Sequence, residues 1–305
     1  MTGGFAMRLA CIGIGSNAIR LLTADWAQGA LCVIRRERRG TRLFAGLVDG
    51  VLTEESIRAS VEAVGQLAAL ARRDGAGEVF VFATSAVRDA KNAEEFTTRA
   101  KEAAGACVEI ISGEEEGVLS FIGASGGGRC GVIDIGGGST EFTLGDGQQI
   151  LGSLSLQMGA VRMQAQQPVL SVADYEETVL RCRRIIARDA RSLLALPTRE
   201  QWYGVGGTMT TLGAMERRVP LFDADTCEGM VMRAEQVAAW GRRLAAMSLD
   251  ARRRVEGLMA HRADIIPSGV AILEAAMISF SMPCLHLSAH GNMDGYLKKK
   301  FSEIY

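Results

Sequence analysis

Two short stretches of this chain combine glycine with hydroxyl and carboxylate side chains at spacings suited to holding phosphate. The first is Gly13-Ile14-Gly15-Ser16-Asn17, and the second is Asp134-Ile135-Gly136-Gly137-Gly138-Ser139-Thr140-Glu141. Each sits between apolar runs that read as strand, tight turn, strand. Such a turn can present several backbone N–H groups to an anion, glycine serving both a left-handed backbone and a close approach of main chain to oxygen. Ser16, Asn17, Ser139 and Thr140 can add side-chain donors to the main chain at Gly15, Gly136, Gly137 and Gly138. Two ordinary hairpin turns would account for one glycine each, but not for three in a row between Asp134 and Ser139. Phosphate binding accounts for both stretches.

Asp134 ends an apolar run immediately before the glycines, where a carboxylate suits a Mg²⁺ ion held partly through water and bridging phosphate oxygens. A turn-capping aspartate is the competing reading; Glu141, as a second hard ligand or base, favours the metal. Ser112-Gly113-Glu114-Glu115-Glu116 opens a predicted helix. Acids in a first turn complement the helix dipole, which covers two of the three. A third, aimed into a cleft, could orient a water for in-line attack on a terminal phosphorus, and side-chain chemistry alone leaves open which of the three does so. Arg88 follows the predicted strand 78–83 directly, at the kind of C-terminal strand end where ligands of open α/β sheets sit. A guanidinium there suits phosphate, with a surface ion pair as its competitor. His261, His286 and His290 are too scattered for a metal cluster.

These residues need rigid elements behind them. The first hairpin spans about 9–24, with another arm at 30–37. A helix capped by Thr53 runs to about Arg73 with apolar positions at helical spacing. Then come a buried strand at 78–83, a helix at 93–104, a strand at 107–111 and a helix at 114–122. The glycine-rich stretch 125–129 is the best boundary, dividing the chain into α/β domains 1–124 and 125–305. The second half repeats the opening: laid over one another without gaps, Ile12 meets Ile133, Gly15 meets Gly136 and Leu21 meets Phe142, as a duplication would place them. A long helix at 172–196, a glycine turn at 204–207 and helices at 234–246 and 265–280 follow. A last helix, about 292–305, can pack back on the first domain.

The bulk composition narrows the function classes. The chain has 305 residues, 48% hydrophobic and 23% charged, as in a packed globular protein. Lys and Arg total 34 against 35 Asp and Glu, a net charge of -1, which argues against a DNA binder or a membrane-surface binder, so any anion site must be local. The 7 cysteines form no CxxC pair and lie in apolar settings such as Leu31-Cys32-Val33, as expected of buried free thiols in a reducing cytoplasm. No stretch reads as a signal peptide or a membrane span.

The motifs together resemble the exopolyphosphatase/guanosine pentaphosphate phosphohydrolase family. The resemblance rests on Ile14 to Leu21, Ala83 to Arg88, Ile111 to Glu116, Asp134 to Glu141, Ser155 to Arg162, Gly204 to Thr208 and Arg262 to Gly269, in order along nearly the whole chain. It implies a duplicated actin-like (ribonuclease H-like) α/β fold with a cleft between the halves, in the short form of the family. It implies Mg²⁺-dependent removal of terminal phosphate from polyphosphate or guanosine pentaphosphate, which the sequence does not rank, and it admits a homodimer. The family's catalytic glutamate falls on Glu116, and its second-loop acids fall on Asp134 and Glu141. One departure matters: the family's first loop begins with Asp, and here Gly13 takes that place, where the internal overlay also has Asp134. A missing carboxylate is expected to weaken the metal site, with Gly13→Asp expected to restore it. It also motivates the alternative of a catalytically weakened sensor that binds polyphosphate or an alarmone.

Overall fold

The continuous apolar run around Cys11 folds as the buried strand Arg8–Ile14, which turns at Gly15 and returns antiparallel as Ile19–Ala27. This is a computed structural model. It describes residues 7–125, 128–147, 149–197, 201–219 and 224–304, so Met1 to Ala6 and two residues of the glycine-rich stretch, Gly126 and Gly127, lie outside the described residues. The third arm, Ala30–Arg39, completes a meander, and the strands Glu78–Ala83 and Val108–Ile110 add on the other side of Arg8–Ile14, parallel to it. Three antiparallel strands followed by parallel ones reached through helices is the ribonuclease H-like, actin-like topology. The crossover helix Glu54–Arg73 is capped by the Thr53 hydroxyl, which accepts from the Ser56 N–H, and buries Ile57, Val64, Leu67 and Ala71 on the sheet.

The second unit repeats this order. Arg129–Ile135 pairs antiparallel with Thr140–Asp146, which pairs with Gln149–Leu156, while Gln201–Val205 and Cys284–Leu287 extend the sheet in parallel and Val231–Arg233 closes its edge. Its core gathers Ile133, Phe142, Trp202 and Leu285 from the sheet with Tyr175 and the all-buried run Val270–Ala276 of the helix Ile266–Ser279.

The chain divides into one unit up to Ser112 plus the residues from Asn292 onward, and a second from Gly113 to Gly291. The division therefore falls before the helix Gly113–Ala124, not after it at the glycine-rich stretch. Small residues on that helix explain why: a Cβ on Gly117 would meet Thr143 Oγ1 and Ser153 Oγ at 2.7 Å, so the helix lies flat on the hairpin of the second unit. The final helix, Asn292–Ile304, belongs to the first unit, where Tyr296 stacks on Phe82 at 4.7 Å.

Two further expectations change. The long helix expected over 172–196 ends at Asp189, because the chain bends at the buried Ala190 so that Leu193 can pack on the strand Gln149–Leu156, where Gly152 leaves room for it. Cys32 and Cys107 are exposed and not buried, Cys32 because its strand is the sheet edge; Cys11, Cys130, Cys182 and Cys227 are buried, and all seven are free.

Candidate active site

In the second unit, strand pairing sets Asp134 directly opposite Glu141, across the turn that carries Gly136, Gly137 and Gly138. The helix Gly113–Ala124 brings the third carboxylate. Of its three first-turn acids, Glu114 and Glu115 are exposed, while Glu116 is 6% exposed and acts electrostatically on Glu141. Asp134 is 7% and Glu141 1% exposed. Three carboxylates thus converge in a place with little water. Burial, first, and then the charges of Glu116 and Asp134 push the Glu141 carboxyl well above its usual range, against the hydroxyls of Ser139 and Ser155 that favour its ionised form.

Several hydroxyls hold this arrangement. Ser155 Oγ donates to Glu141 Oε1 at 2.7 Å, and Ser120 Oγ donates to Asp134 Oδ2 at 2.6 Å. Ser120 lies four residues after Glu116, on the same helix face, so one face delivers both a carboxylate and the donor that fixes its neighbour. Glu141 Oε2 is buried with no hydrogen-bond partner among the described residues.

The glycine loop is built for access. The Gly136 carbonyl accepts from the Ala160 N–H, the Gly137 carbonyl from the N–H groups of Val161 and Arg162, and the Gly138 carbonyl from Arg162 Nε at 2.6 Å. With these carbonyls committed to the segment 160–162, the N–H groups of Gly137 and Gly138 form no hydrogen bond among the described residues and can meet an anion. None of Gly15, Gly136, Gly137 and Gly138 is left-handed, which corrects that part of the expectation. Closeness is the reason for glycine here. A Cβ at Gly15 would stand 3.0 Å from the Ala18 carbonyl, one at Gly136 3.1 Å from that of Ser139, and one at Gly159 only 2.4 Å from the Gly137 carbonyl. The Thr140 hydroxyl donates to the Met158 carbonyl and is spent within the fold.

Gly206 closes the site from another strand. It follows Gln201–Val205, whose Val205 is the parallel neighbour of Asp134, and its φ of 94° requires glycine. A Cβ there would come within 2.7 Å of Asp134 Oδ1. Neither Gly206 nor Ser120, Ser155 or Arg162 carried a role in the sequence reading. The i,i+4 spacing from Glu116 was the available signal for Ser120; Gly206 depends on a pairing between distant strands.

The first unit has the same frame with other chemistry. Gly15, Ser16 and Asn17 form its turn, with Ser16 Oγ 2.9 Å from Ser85 Oγ. Both polar side-chain atoms of Asn17 are buried without a hydrogen-bond partner among the described residues. Arg88 Nη1 donates to the Ile111 carbonyl at 2.9 Å, bracing the segment that leads to Ser112. Where Asp134 faces Glu141, Gly13 faces Arg20, whose guanidinium donates to Asn292 Oδ1 at 3.0 Å. The space of the missing carboxylate is filled: a Cβ on Gly13 would stand 3.0 Å from the Phe82 ring and 3.6 Å from Met293 Cγ. Gly13→Asp is therefore expected to destabilise the protein by about 1–3 kcal/mol through overpacking, read as a lower urea midpoint, with partial recovery in Gly13→Asp/Met293→Ala. An undiminished midpoint for the single variant would contradict this packing.

A sequence profile described as the Ppx/GppA phosphatase family matches residues 22–303. The chain is 32% identical over 285 residues to a protein named Exopolyphosphatase 2 of Mycobacterium tuberculosis, covering 88% of this chain and 89% of that one. It is 27% identical over 315 residues to Exopolyphosphatase 1 of Mycobacterium bovis, covering 96% and 88% respectively. Among solved structures, the PPX-GPPA enzyme of Aquifex aeolicus superposes with a TM-score of 0.81 at 29% identity, over 96% of this chain and 99% of that one.

Proposed function

The chain belongs to the Ppx/GppA phosphatase family, and from that premise we propose that it hydrolyses the terminal phosphoric anhydride of inorganic polyphosphate, with guanosine pentaphosphate as a second substrate of the same terminal chemistry. The observation that carries this reading is the buried convergence of Glu116, Asp134 and Glu141 beside a loop with uncommitted amides. The relatives named exopolyphosphatase supply the substrate class.

In this reading the N–H groups of Gly137 and Gly138 bind terminal phosphoryl oxygens. Glu116 accepts a proton from a water that it holds in line with the scissile bond. The water oxygen bonds to the terminal phosphorus as the P–O bond to the next phosphate breaks, and that phosphate leaves with the electron pair. Ser120 keeps Asp134 oriented, and Ser155 holds Glu141.

The residues fit a magnesium ion. Glu141 Oε2 is buried and without a hydrogen-bond partner among the described residues, next to two further carboxylates that oppose its ionisation, and a hard dication relieves both conditions. No ready-made cluster of three or more His, Cys, Asp or Glu ligands exists among the described residues, so Asp134 and Glu141 would hold the ion together with waters, as magnesium prefers. When bound, it supplies charge neutralisation at the phosphoryl oxygens.

No helix among the described residues is long and apolar enough to cross a membrane; we propose a cytoplasmic location from the seven free cysteines, which suit a reducing compartment. A second reading, a sensor that binds without turnover, is favoured by Gly13 alone. The test is orthophosphate release with Mg²⁺ from a short polyphosphate and from guanosine pentaphosphate, alongside equilibrium binding of each. Release from either supports the hydrolase, binding without release supports the sensor, and neither binding nor release removes both.

A further inference from the structure

The second unit carries a groove of about 750 Å³ that has no part in the carboxylate site. It lies where the helix Gly207–Arg217 ends beside the helix Ala234–Ala245, and the side chains of Trp240, Arg218, Arg243, Arg254, Glu216 and Glu256 line it. The indole is held in place: its N–H donates to Glu216 Oε2 at 2.6 Å, and Gln236 Nε2 donates to Glu216 Oε1 at 3.3 Å. The Arg243 guanidinium lies 4.8 Å from the centre of the indole ring. Arg218 and Arg254 have no ion-pair partner among the described residues.

A fixed aromatic plane among three guanidinium groups has a recognisable chemistry. A π-face stacks a planar base, and guanidinium forks take phosphate oxygens. The groove is of the size that small-molecule sites have. With Glu216 committed to the indole, Glu256 remains as an acceptor for the exocyclic amine of a base. A bare phosphate chain would have no use for the pinned indole. We propose that this groove is a binding site for a purine nucleoside diphosphate, separate from the phosphate-hydrolysing site.

One element joins the two places. Gly206, against Asp134, precedes the helix Gly207–Arg217, and Arg218 caps its far end, about 16 Å away at the rise of an α-helix. A nucleotide held by Arg218 would thus bear on the helix that borders Asp134.

The experiment titrates ADP into the full chain and follows tryptophan fluorescence, with tripolyphosphate as the base-free control. The expected result is saturable quenching by ADP that tripolyphosphate does not displace. It should weaken about tenfold or more in Arg254→Glu and vanish in Trp240→Phe. Asp134→Asn should leave it intact. Quenching that survives Arg254→Glu but disappears in Asp134→Asn would place the nucleotide in the carboxylate site and overturn this proposal, without touching the reading of that site. Displacement by tripolyphosphate, or no ADP binding at millimolar concentration, would overturn it equally.

Discussion

Glu116→Gln is expected to lower orthophosphate release from polyphosphate by about 10²–10⁴-fold, the usual worth of a positioned general base, with the thermal midpoint close to wild type. The substitution keeps shape and hydrogen-bonding reach but removes the basic oxygen. Glu116 is the one first-turn acid of its helix that is buried, and its face of the helix also carries Ser120, the donor to Asp134. Its burial and its action on Glu141 mark it as a member of the site, whereas Glu114 and Glu115 are exposed in the first turn, where acids complement the helix dipole. Glu114→Gln and Glu115→Gln should accordingly change release by less than about threefold, as exposed substitutions usually do. Single-turnover release in saturating polyphosphate separates these outcomes from binding effects. Equal release by Glu116→Gln and wild type would remove Glu116 from the mechanism.

Glu141→Gln is expected to abolish release and yet to stabilise the cation-free protein near neutral pH by about 1–3 kcal/mol, the penalty of a buried, under-satisfied polar or charged group. The direction follows from linkage. Burial and the charges of Glu116 and Asp134 raise the folded-state pKa of Glu141, so the folded protein holds this proton at pH values where the unfolded chain has lost it. Its contribution is fully present below the ordinary glutamate value of about 4.3 and is lost as pH rises through the raised folded value. Wild type without a divalent cation should therefore lose stability over that interval, and Glu141→Gln should lose less, so that the gap between them widens with pH. Adding Mg²⁺ should raise the wild-type midpoint and move the variant little. Urea unfolding at several pH values, with chelator and then with Mg²⁺, measures both effects. A variant less stable than wild type throughout would mean that Glu141 is a structural carboxylate satisfied by its serines.

Much of the site was legible because its pieces are local. The turn at Gly136 to Glu141, the acids opening at Glu114 and the matching turn at Gly15 each lie within a few residues of sequence, and the duplication identified both hairpins. What escaped depends on pairing at a distance. Gly206 is glycine because its strand neighbours Asp134 across 72 positions of chain, a relation only the parallel register creates. Ser155 reaches Glu141 from the third strand of the meander, and that strand was hidden by its irregularity at Ile150/Gly152, which breaks the alternation. The boundary was misplaced for a related reason. Glycine-rich loops and domain junctions look alike in composition, whereas the small residues Gly117, Ser120 and Gly123, which bind the preceding helix to the second unit, leave no strong pattern.

The chemistry of the first unit was also only half visible. Gly13 announced a missing acid, but the overlay did not reveal that Phe82 and Met293 occupy its space, or that Arg20, held by Asn292, stands where the second unit has Glu141. The same hairpin thus gathers negative charge in one unit and positive charge in the other.

We infer that Glu116, Asp134 and Glu141 share one buried site whose charge a dication relieves. Infrared difference spectra of wild type against Glu141→Gln report on it directly. A protonated carboxyl band should persist in the cation-free wild type above the pH at which ordinary carboxylates have ionised, disappear when Mg²⁺ is added, and be absent from the variant. A spectrum without that band, or one that Mg²⁺ leaves unchanged, would contradict the account.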